Sequence, residues 1–462
     1  MSRTALANSA SLQLKFKALR VARWSVASNV TSQFLRLASN LVIARILMPE
    51  AFGLMAIVTT IYIGITMFSD LGIRESVIRS ERSADPSFIG TAWLLQIARG
   101  LVVTLLIGMV AFCLWAAQTA GALPAGSVYA DPTLPALIAV TSLCAVIQGF
   151  ESLSLFKAER DLTPRRIVAV ELLSHCLTVG VTIAAAWWTV SVWGLVFGTL
   201  IGTTIKTILT HLMLPPQALC LRICRTSARE LINFGKWIML SSIIGFLASN
   251  GEKLIIGTSM TVATFGVFAI ASNLQFAVVG VYSAINARVT YPLLNATDRT
   301  LSREATAETY KRTQRIIDIV LGSTAGILVV AAPSLVSILY DARYADAGWM
   351  LQALAVGLVA LRYQVLEQLM LTLGKPKLPM INNLCRTLSM LICIPLGGVW
   401  YGDQGVIWGA VASQFGSWPL SMLFQHQERL SAGWNELVWL PVLLASMTVS
   451  YAVLIAIEGL GS

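Results

Sequence analysis

The sequence predicts an all-α, polytopic membrane protein with about 13 transmembrane helices in two six-helix lobes. Of 462 residues, 56% are hydrophobic and 12% are charged, whereas a soluble globular domain carries roughly a quarter charged residues. A mean hydropathy of +0.73 over this length indicates burial in lipid, because a soluble core of this size would need a charged surface. The other two observations are the series of long apolar runs and an internal repeat.

A membrane-spanning helix needs about 20 mostly apolar residues. The runs that meet this requirement are 24–46, 52–69, 89–117, 134–156, 167–187, 192–213, 233–256, 265–289, 315–340, 349–373, 380–400, 405–424 and 437–457. Most of the 33 Lys and Arg fall in segments on one side of these spans, and the segments on the other side hold only Arg45 and Arg343. Because cytoplasmic loops carry the excess of cations, the N-terminus is predicted to be cytoplasmic. The net charge of +10 is thus mainly a topology signal.

The chain repeats itself after six spans. At an offset of 213 residues, Phe52-Gly53 aligns with Phe265-Gly266, and at an offset of 216 the pair Gln148/Glu151 aligns with Gln364/Glu367. A unit with an even number of spans gives parallel repeats related by an axis along the membrane normal, as in many secondary transporters. The repeat therefore predicts two lobes with pseudo-twofold symmetry around a central cavity.

These patterns divide the chain into five segments. A basic amphipathic N-terminal segment comes first, followed by an N-lobe with spans 1–6, a cytoplasmic linker, a C-lobe with spans 7–12, and a C-terminal segment with span 13. Their predicted boundaries are 1–23, 24–213, 214–232, 233–424 and 425–462.

The first span carries polar residues at helical spacing along one face, and the repeat-equivalent face of span seven is again polar or small. Such a face cannot lie against lipid. Close helix packing is one interpretation. The charges of Arg36, Glu252 and Lys253 favour the other, a water-filled cavity. Glu151 and Glu367, near the cytoplasmic ends of their spans, are predicted gating residues, and salt bridges are the alternative role for any charge within a span.

No enzyme motif is present, and the chain is predicted not to be an enzyme. It has no GxxxxGK[ST] loop for phosphate binding and no acidic pair in a cytoplasmic loop that would hold a nucleotide-sugar metal. The seven cysteines form no CxxC pair, which argues against a metal site. The composition also excludes a nucleic-acid-binding basic domain.

Four segments resemble a known family. They are ARILMPEAFG at 44–53, FSDLG at 68–72, ILYD at 338–341 with Tyr344 and Ala347, and LGKP at 373–376. In order and spacing they are similar to those of Wzx-type oligosaccharide flippases, the polysaccharide exporters in the superfamily of lipid II flippases and multidrug-and-toxin exporters. Asp341 stands where that family usually has glycine.

The resemblance implies a V-shaped, two-lobe transporter in the bacterial inner membrane. Its substrates would be undecaprenyl-pyrophosphate-linked sugar repeats for exopolysaccharide, capsule or lipopolysaccharide, which it would move to the outer leaflet by alternating access. A polysaccharide polymerase and co-polymerase are the implied protein partners, beside membrane lipids. A multidrug or cation exporter of the same superfamily, and a non-transporting scaffold of a polysaccharide synthase complex, are the alternatives.

Cations in the central cavity of such a flippase would offset the cost of burying a pyrophosphate. The residues predicted to line that cavity are Arg36, Arg99, Lys253, Asn29, Asn40 and Asn250. Asp318 or Glu252 is predicted to couple transport to a proton or sodium gradient, and no other cofactor and no metal is expected.

Overall fold

The computed structural model of the protein describes residues 30–80, 82, 85–161, 164–216, 220, 222–286, 290, 293–295, 303–375, 377–428, 430 and 437–461. The predicted N-terminal segment 1–23 and Asn29 lie outside these residues. The described part of the chain is helical, as the composition predicts.

Eight helices precede the long connection at residues 214–224. They are α1 (30–46), α2 (Pro49–Phe68), α3 (Ile73–Arg79), α4 (Pro86–Thr119), α5 (Leu134–Gly149), α6 (Ser154–Arg160), α7 (Pro164–Thr189) and α8 (Val192–Met213).

Among the described residues, eight helices of seven or more residues follow that connection. They are α9 (Arg225–Ser259), α10 (Val262–Ile285), α11 (Arg303–Leu339), α12 (Ala347–Gly357), α13 (Tyr363–Thr372), α14 (Lys377–Gln414), α15 (Trp418–Gln427) and α16 (Trp439–Gly461).

Ten helical stretches among the described residues are long and apolar enough to cross a membrane, or eleven when the bent pair α5 and α6 counts as one span. The chain is therefore a multi-pass membrane protein. Helix α14 covers the predicted span 380–400 and the start of the predicted span 405–424, and its backbone breaks between them at Tyr401 and at Gly402, where φ is +58°. The count of thirteen spans and the pseudo-twofold symmetry stay predictions.

The chain forms two compact units. The N-terminal unit comprises residues 1–47, 58–122 and 132–243, and the C-terminal unit comprises 48–57, 123–131 and 244–462. The start of α2 thus belongs to the C-terminal unit. This division differs from the predicted lobe boundaries, which stay a prediction.

The membrane-facing surface is visible as exposed apolar side chains. On α4, Leu105 is 72% exposed and Phe112 is 63% exposed. A soluble protein rarely exposes such a continuous apolar surface. This apolar surface is therefore suited to contact with lipid tails.

Helices α7 and α8 pack through a row of glycines. Gly194, Gly198 and Gly202 recur every four residues on α8, so they lie on one face of that helix. A Cβ at Gly198 would overlap Thr182 of α7, and a Cβ at Gly202 would overlap Thr178. Only glycine lets the two backbones come this close, which is how helices associate in a membrane without a hydrophobic driving force.

The repeat-equivalent glycines Gly53 and Gly266 contact each other within the C-terminal unit. A Cβ on Gly266 would overlap the carbonyl of Pro49, and a Cβ on Gly53 would overlap that of Val262. The two halves of α14 also meet at glycines, since Gly397 and Gly405 each face the carbonyl of the other. Close helix approach is therefore a recurring device in this fold.

The connection between α8 and α9 is fixed to the start of α4. Cys220 N–H donates to the Pro86 carbonyl at 3.1 Å, and the Thr91 hydroxyl accepts from Cys224 N–H at 3.0 Å. Asp85 caps α4 by accepting from the Ser87 N–H. That hydrogen bond, together with one from Arg82, holds the pKa of Asp85 below its ordinary value.

Substitution Gly198→Leu should destabilise the protein, because the new side chain would have to displace the α7 backbone. Overpacking of this kind costs about 1–3 kcal/mol, and a decrease of several degrees in the unfolding temperature of the purified protein should result. Gly108→Leu on α4 is the matched control, since nothing lies within 4 Å of a Cβ at that position. Equal unfolding temperatures for the two variants would contradict the packing argument.

Candidate functional site

The membrane span formed by α5 and α6 is broken, and a glutamine of a neighbouring helix forms hydrogen bonds with backbone carbonyls at the break. The two helices meet at a bend of 61°. The buried amide of Gln96 on α4 donates to the carbonyls of Gln148, Gly149 and Glu151, at 3.3, 3.1 and 3.0 Å. Free carbonyls at membrane depth need protein partners. Gln96 therefore makes an irregular backbone possible at this position.

A cavity of about 130 Å³ lies beside this break in the N-terminal unit. Arg99 and Glu151 both line it, as does Asp70. Arg99 donates from Nε to the Ser69 carbonyl at 2.9 Å and from Nη2 to the Thr66 carbonyl at 2.7 Å. Its guanidinium thus holds the end of α2 while it borders the cavity.

Glu151 forms an ion pair across the N-terminal unit. Its Oε1 lies 2.8 Å from Nζ of Lys206 on α8, and its side chain is 14% exposed. The pairing links the break after α5 to the middle of another span. This is the salt-bridge role that the sequence left open for charges within spans.

The C-terminal unit has an interruption of an α-helix next to the pair Gln364/Glu367. The 3₁₀ segment Leu358–Arg362 separates α12 from α13. Gln275 of α10 donates to the Leu354 carbonyl at 2.8 Å, and the Tyr282 hydroxyl donates to the Leu361 carbonyl at 3.1 Å. The predicted repeat pair Gln148/Glu151 and its counterpart Gln364/Glu367 therefore each adjoin a broken span.

A cavity of about 280 Å³ adjoins this second break. It brings together Glu252 of α9, Glu367 of α13 and Arg386 of α14. Asn382 donates to Glu367 Oε1 at 3.0 Å, and Arg386 donates to the Ala248 carbonyl. Two carboxylates and one guanidinium thus share a site on which the sequence placed two predicted coupling or gating residues.

The other predicted cavity residues of α9 lie next to this site. The Lys253 ammonium lies over the ring of Phe276, 4.6 Å from its centroid. The Asn250 amide donates to the Ser249 hydroxyl at 3.0 Å, and Ser249 lines the cavity. On α1, Arg36 is exposed and Asn40 is half-buried.

The predicted coupling residue Asp318 is held in a buried ion pair. Arg362 donates to its two oxygens at 2.8 and 2.9 Å, and both side chains are 1% exposed. Gln314 also donates to Asp318, at 3.2 Å. The pair joins α11 to the 3₁₀ segment, so Asp318 holds the second break in place.

Within either unit, the structure does not bring the predicted cation set into one cavity. Arg99 borders the first cavity, and Lys253 lies beside residues of the second. Sequence reasoning missed Gln96 and Gln275, the two amides that satisfy the breaks. Their signal was a lone glutamine within a long apolar run, at 89–117 and at 265–289.

Two of the segments that carry the family resemblance, 48–53 and 338–347, meet in the C-terminal unit. The rings of Phe52 and Tyr344 meet edge to face at 6.0 Å, and Tyr340 lies 5.7 Å from Tyr344. Asp341 accepts from the backbone and the guanidinium of Arg343. These residues therefore act together in packing the start of α2.

The helical membrane fold is similar to that of solved membrane transporters. Its likeness to the solved inward-facing structure of a multidrug resistance MATE family transporter has a TM-score of 0.68 at 15% identity, and covers 89% of this chain and 98% of that one. The lipid II flippase MurJ, in an inward closed conformation, is similar with a TM-score of 0.70 at 14% identity, over 94% of this chain and 92% of that one. At these identities the likeness establishes the fold.

The family itself follows from the sequence match. The model of a family described as polysaccharide biosynthesis protein matches residues 42–349, and this chain belongs to that family. The lipopolysaccharide biosynthesis protein WzxC of Escherichia coli K12 is 23% identical over 460 residues, which are 97% of this chain and 90% of WzxC. The resemblance seen in the sequence is confirmed.

No group of three or more His, Cys, Asp and Glu side chains that could hold a metal ion occurs among the described residues. Both cavities are lined by charged side chains and amides. Such sites suit reversible binding of a polar ligand or an ion.

Asp318→Asn should strongly destabilise the protein, because it leaves the Arg362 guanidinium buried without its counter-charge. Breaking a buried ion pair from one side costs about 3–5 kcal/mol. The unfolding temperature of the purified variant measures this loss. Glu308→Gln, at an exposed position on the same helix, is the control. An Asp318→Asn protein of normal stability that no longer responds to an ion gradient would show that coupling is the main role.

Proposed function

We propose that this protein is a flippase that moves polyprenyl-pyrophosphate-linked oligosaccharide repeat units from the inner to the outer leaflet of the bacterial cytoplasmic membrane. The observation that carries the proposal is membership in the polysaccharide biosynthesis family. The similarity to WzxC along nearly the whole chain supports it, and so does a fold shared with a lipid II flippase. The product would serve exopolysaccharide, capsule or lipopolysaccharide synthesis.

The orientation that we propose places the N-terminus in the cytoplasm, following the cation distribution. Residues 24–213 and 233–424 would be the two lobes that alternate between facing the two sides of the membrane. A broken span beside each of the pairs Gln148/Glu151 and Gln364/Glu367 supports this repeat. A polysaccharide polymerase and co-polymerase would receive the product. No catalytic step is needed, because flipping requires only binding and a conformational change.

We propose that Arg36, Arg99 and Lys253 border the substrate path, with Asn29, Asn40 and Asn250 as hydrogen-bonding partners. A pyrophosphate needs cationic donors when it leaves water. Arg36 is exposed on α1, which the sequence predicts to span the membrane, and a charge within a span is costly and usually marks a pathway. Arg99 has spent two of its five N–H donors on the end of α2. Substitution of Arg36 therefore tests the proposed substrate path more directly than substitution of Arg99.

A multidrug or cation exporter is the second candidate, and the carboxylates of the C-terminal unit favour it. Glu252 and Glu367 share their cavity with the aromatic Phe276, a combination that suits an organic cation. A non-transporting scaffold of a synthase complex is the third. Both alternatives predict that loss of the protein leaves lipid-linked repeats in the inner leaflet at their normal level.

Deletion of the gene should cause lipid-linked repeat units to accumulate on the inner leaflet, as measured by mass spectrometry of extracted lipids. An Arg36→Gln variant should insert normally in the membrane but restore polymer export at least tenfold less well than the native chain, because the pyrophosphate loses a charged partner. Arg166→Gln, an exposed arginine of α7, should complement fully.

No accumulation in the deletion strain would contradict the flippase proposal. If the deletion causes accumulation and the Arg36→Gln variant relieves it fully, the flippase proposal stands but Arg36 does not border the substrate path.

We propose that the cavity of Glu252 and Glu367 binds the coupling ion, a proton or sodium. Two carboxylates in one cavity of about 280 Å³ can share a cation, and its loss would leave like charges near each other. The adjacent Arg386 and the Asn382 amide would orient them. Asp318, already paired with Arg362, would act by holding the break that borders this cavity.

Glu252→Gln and Glu367→Gln should each abolish the acceleration of flipping by an imposed proton or sodium gradient in proteoliposomes, because a neutral amide cannot exchange the ion. Slow flipping without a gradient should persist. Glu308→Gln is the control for the loss of an exposed carboxylate. A native protein whose flipping rate ignores both gradients would refute the coupling role.

A further inference from the structure

A polar groove of about 440 Å³ runs between α7 and α8 in the N-terminal unit. It is separate from the two cavities beside the broken spans. Two rows of residues with the same helical spacing line it, and Ser32 of α1 completes it. The rows are Glu171, Ser174, His175 and Thr178 on α7, and Thr199, Gly202, Thr203 and Lys206 on α8.

The spacing puts each row on one face of its helix. These helices are membrane spans, and a face of this polarity cannot lie against hydrocarbon. Threonine and glycine do pack the two helices, since Gly202 meets Thr178. However, Thr178, Thr199 and Thr203 remain half-exposed. Helix packing therefore leaves part of the hydroxyl surface open to the groove.

The hydroxyls of this groove have already used their donors. Thr178 donates to the Ser174 carbonyl at 2.7 Å, Thr199 to the Leu195 carbonyl at 2.8 Å, and Thr203 to the Thr199 carbonyl at 2.8 Å. A hydroxyl has one O–H and two lone pairs. What these oxygens can still offer to a ligand is acceptance of hydrogen bonds.

The charged groups of the groove also favour a ligand that donates hydrogen bonds. Glu171 is exposed, and an ionised carboxylate only accepts hydrogen bonds. Lys206, the cation of the groove, is paired with Glu151 at 2.8 Å, which offsets its charge. A pyrophosphate, which is rich in acceptors and negatively charged, would meet acceptors here. A molecule with many O–H donors and no charge would be complementary.

We infer that the groove between α7 and α8 binds the hydroxyl groups of the sugar portion of the lipid-linked substrate, and not its pyrophosphate. The inference rests on the proposed flippase function and adds the part of the substrate that this site recognises. A volume of about 440 Å³ is within the range of small-molecule sites, roughly 300–1,000 Å³.

The test compares two lipid probes on the purified full chain in nanodiscs. One probe is the sugar-bearing lipid extracted from a strain lacking the gene, and the other is sugar-free undecaprenyl pyrophosphate. The native chain should bind the sugar-bearing lipid more tightly. The double variant Thr199→Val with Thr203→Val should lose about tenfold in affinity for that lipid, as expected for two hydrogen bonds, and less than twofold for the sugar-free lipid.

Two controls separate the hydroxyl from the packing. Thr204→Val removes a hydroxyl with the same back-donation, to the Leu200 carbonyl at 2.9 Å, but outside the groove lining, and it should bind both lipids normally. The double variant Thr199→Ser with Thr203→Ser restores the acceptors and should restore affinity. Should the double valine variant not fold, Thr199→Val alone should lose about threefold.

Each remaining outcome overturns the inference. An equal loss for both lipids, or no loss for either, removes the groove from sugar recognition and leaves the flippase proposal intact. Equal affinity of the native chain for the two lipids would also exclude a role of the groove in sugar recognition and leave the flippase proposal intact. A native chain that binds neither lipid refutes the proposed function and the groove together.

Discussion

The structure depends on one constraint, that a backbone polar group inside a bilayer must find its partner within the protein. Unbroken helices meet this requirement by themselves, and most of the spans here are of that kind. The bend between α5 and α6 and the 3₁₀ segment between α12 and α13 meet it through side chains of neighbouring helices. Gln96 donates to the carbonyls at the first break, and Gln275 with Tyr282 does so at the second. Two of the cavities lie beside these interruptions.

The second constraint is the absence of a hydrophobic force between helices in lipid. Contact then has to come from close approach, and glycine supplies it. The row of glycines on α8 brings its backbone against α7, and Thr178, which meets Gly202, also lines the groove beside that contact. The repeat-equivalent glycines Gly53 and Gly266 meet directly. Packing and candidate sites are thus built from the same small residues.

The buried charges fall into two classes with different physical consequences. Asp318 and Arg362 satisfy each other almost completely and are held by a further amide, so they behave as a structural joint. Glu252, Glu367 and Arg386 share an open cavity, where an ion or a proton can enter and leave. A charged side chain that can exchange its partner is suited to coupling transport to an ion gradient. A charged side chain that cannot exchange its partner is suited to stabilising the fold. The hydropathy of the sequence does not distinguish the two classes of charged residue.

The sequence by itself determined the membrane class, most of the spans and the family, because apolar length and motif order are local properties of the chain. It also found the pairs Gln148/Glu151 and Gln364/Glu367, since a repeat aligns them. Only the tertiary structure decided that these pairs adjoin broken spans, that Asp318 is paired with Arg362, and that Arg99 holds the end of α2. Those contacts join residues about 30 or more positions apart. A side chain in a span carries no local sign of which neighbouring helix will satisfy it.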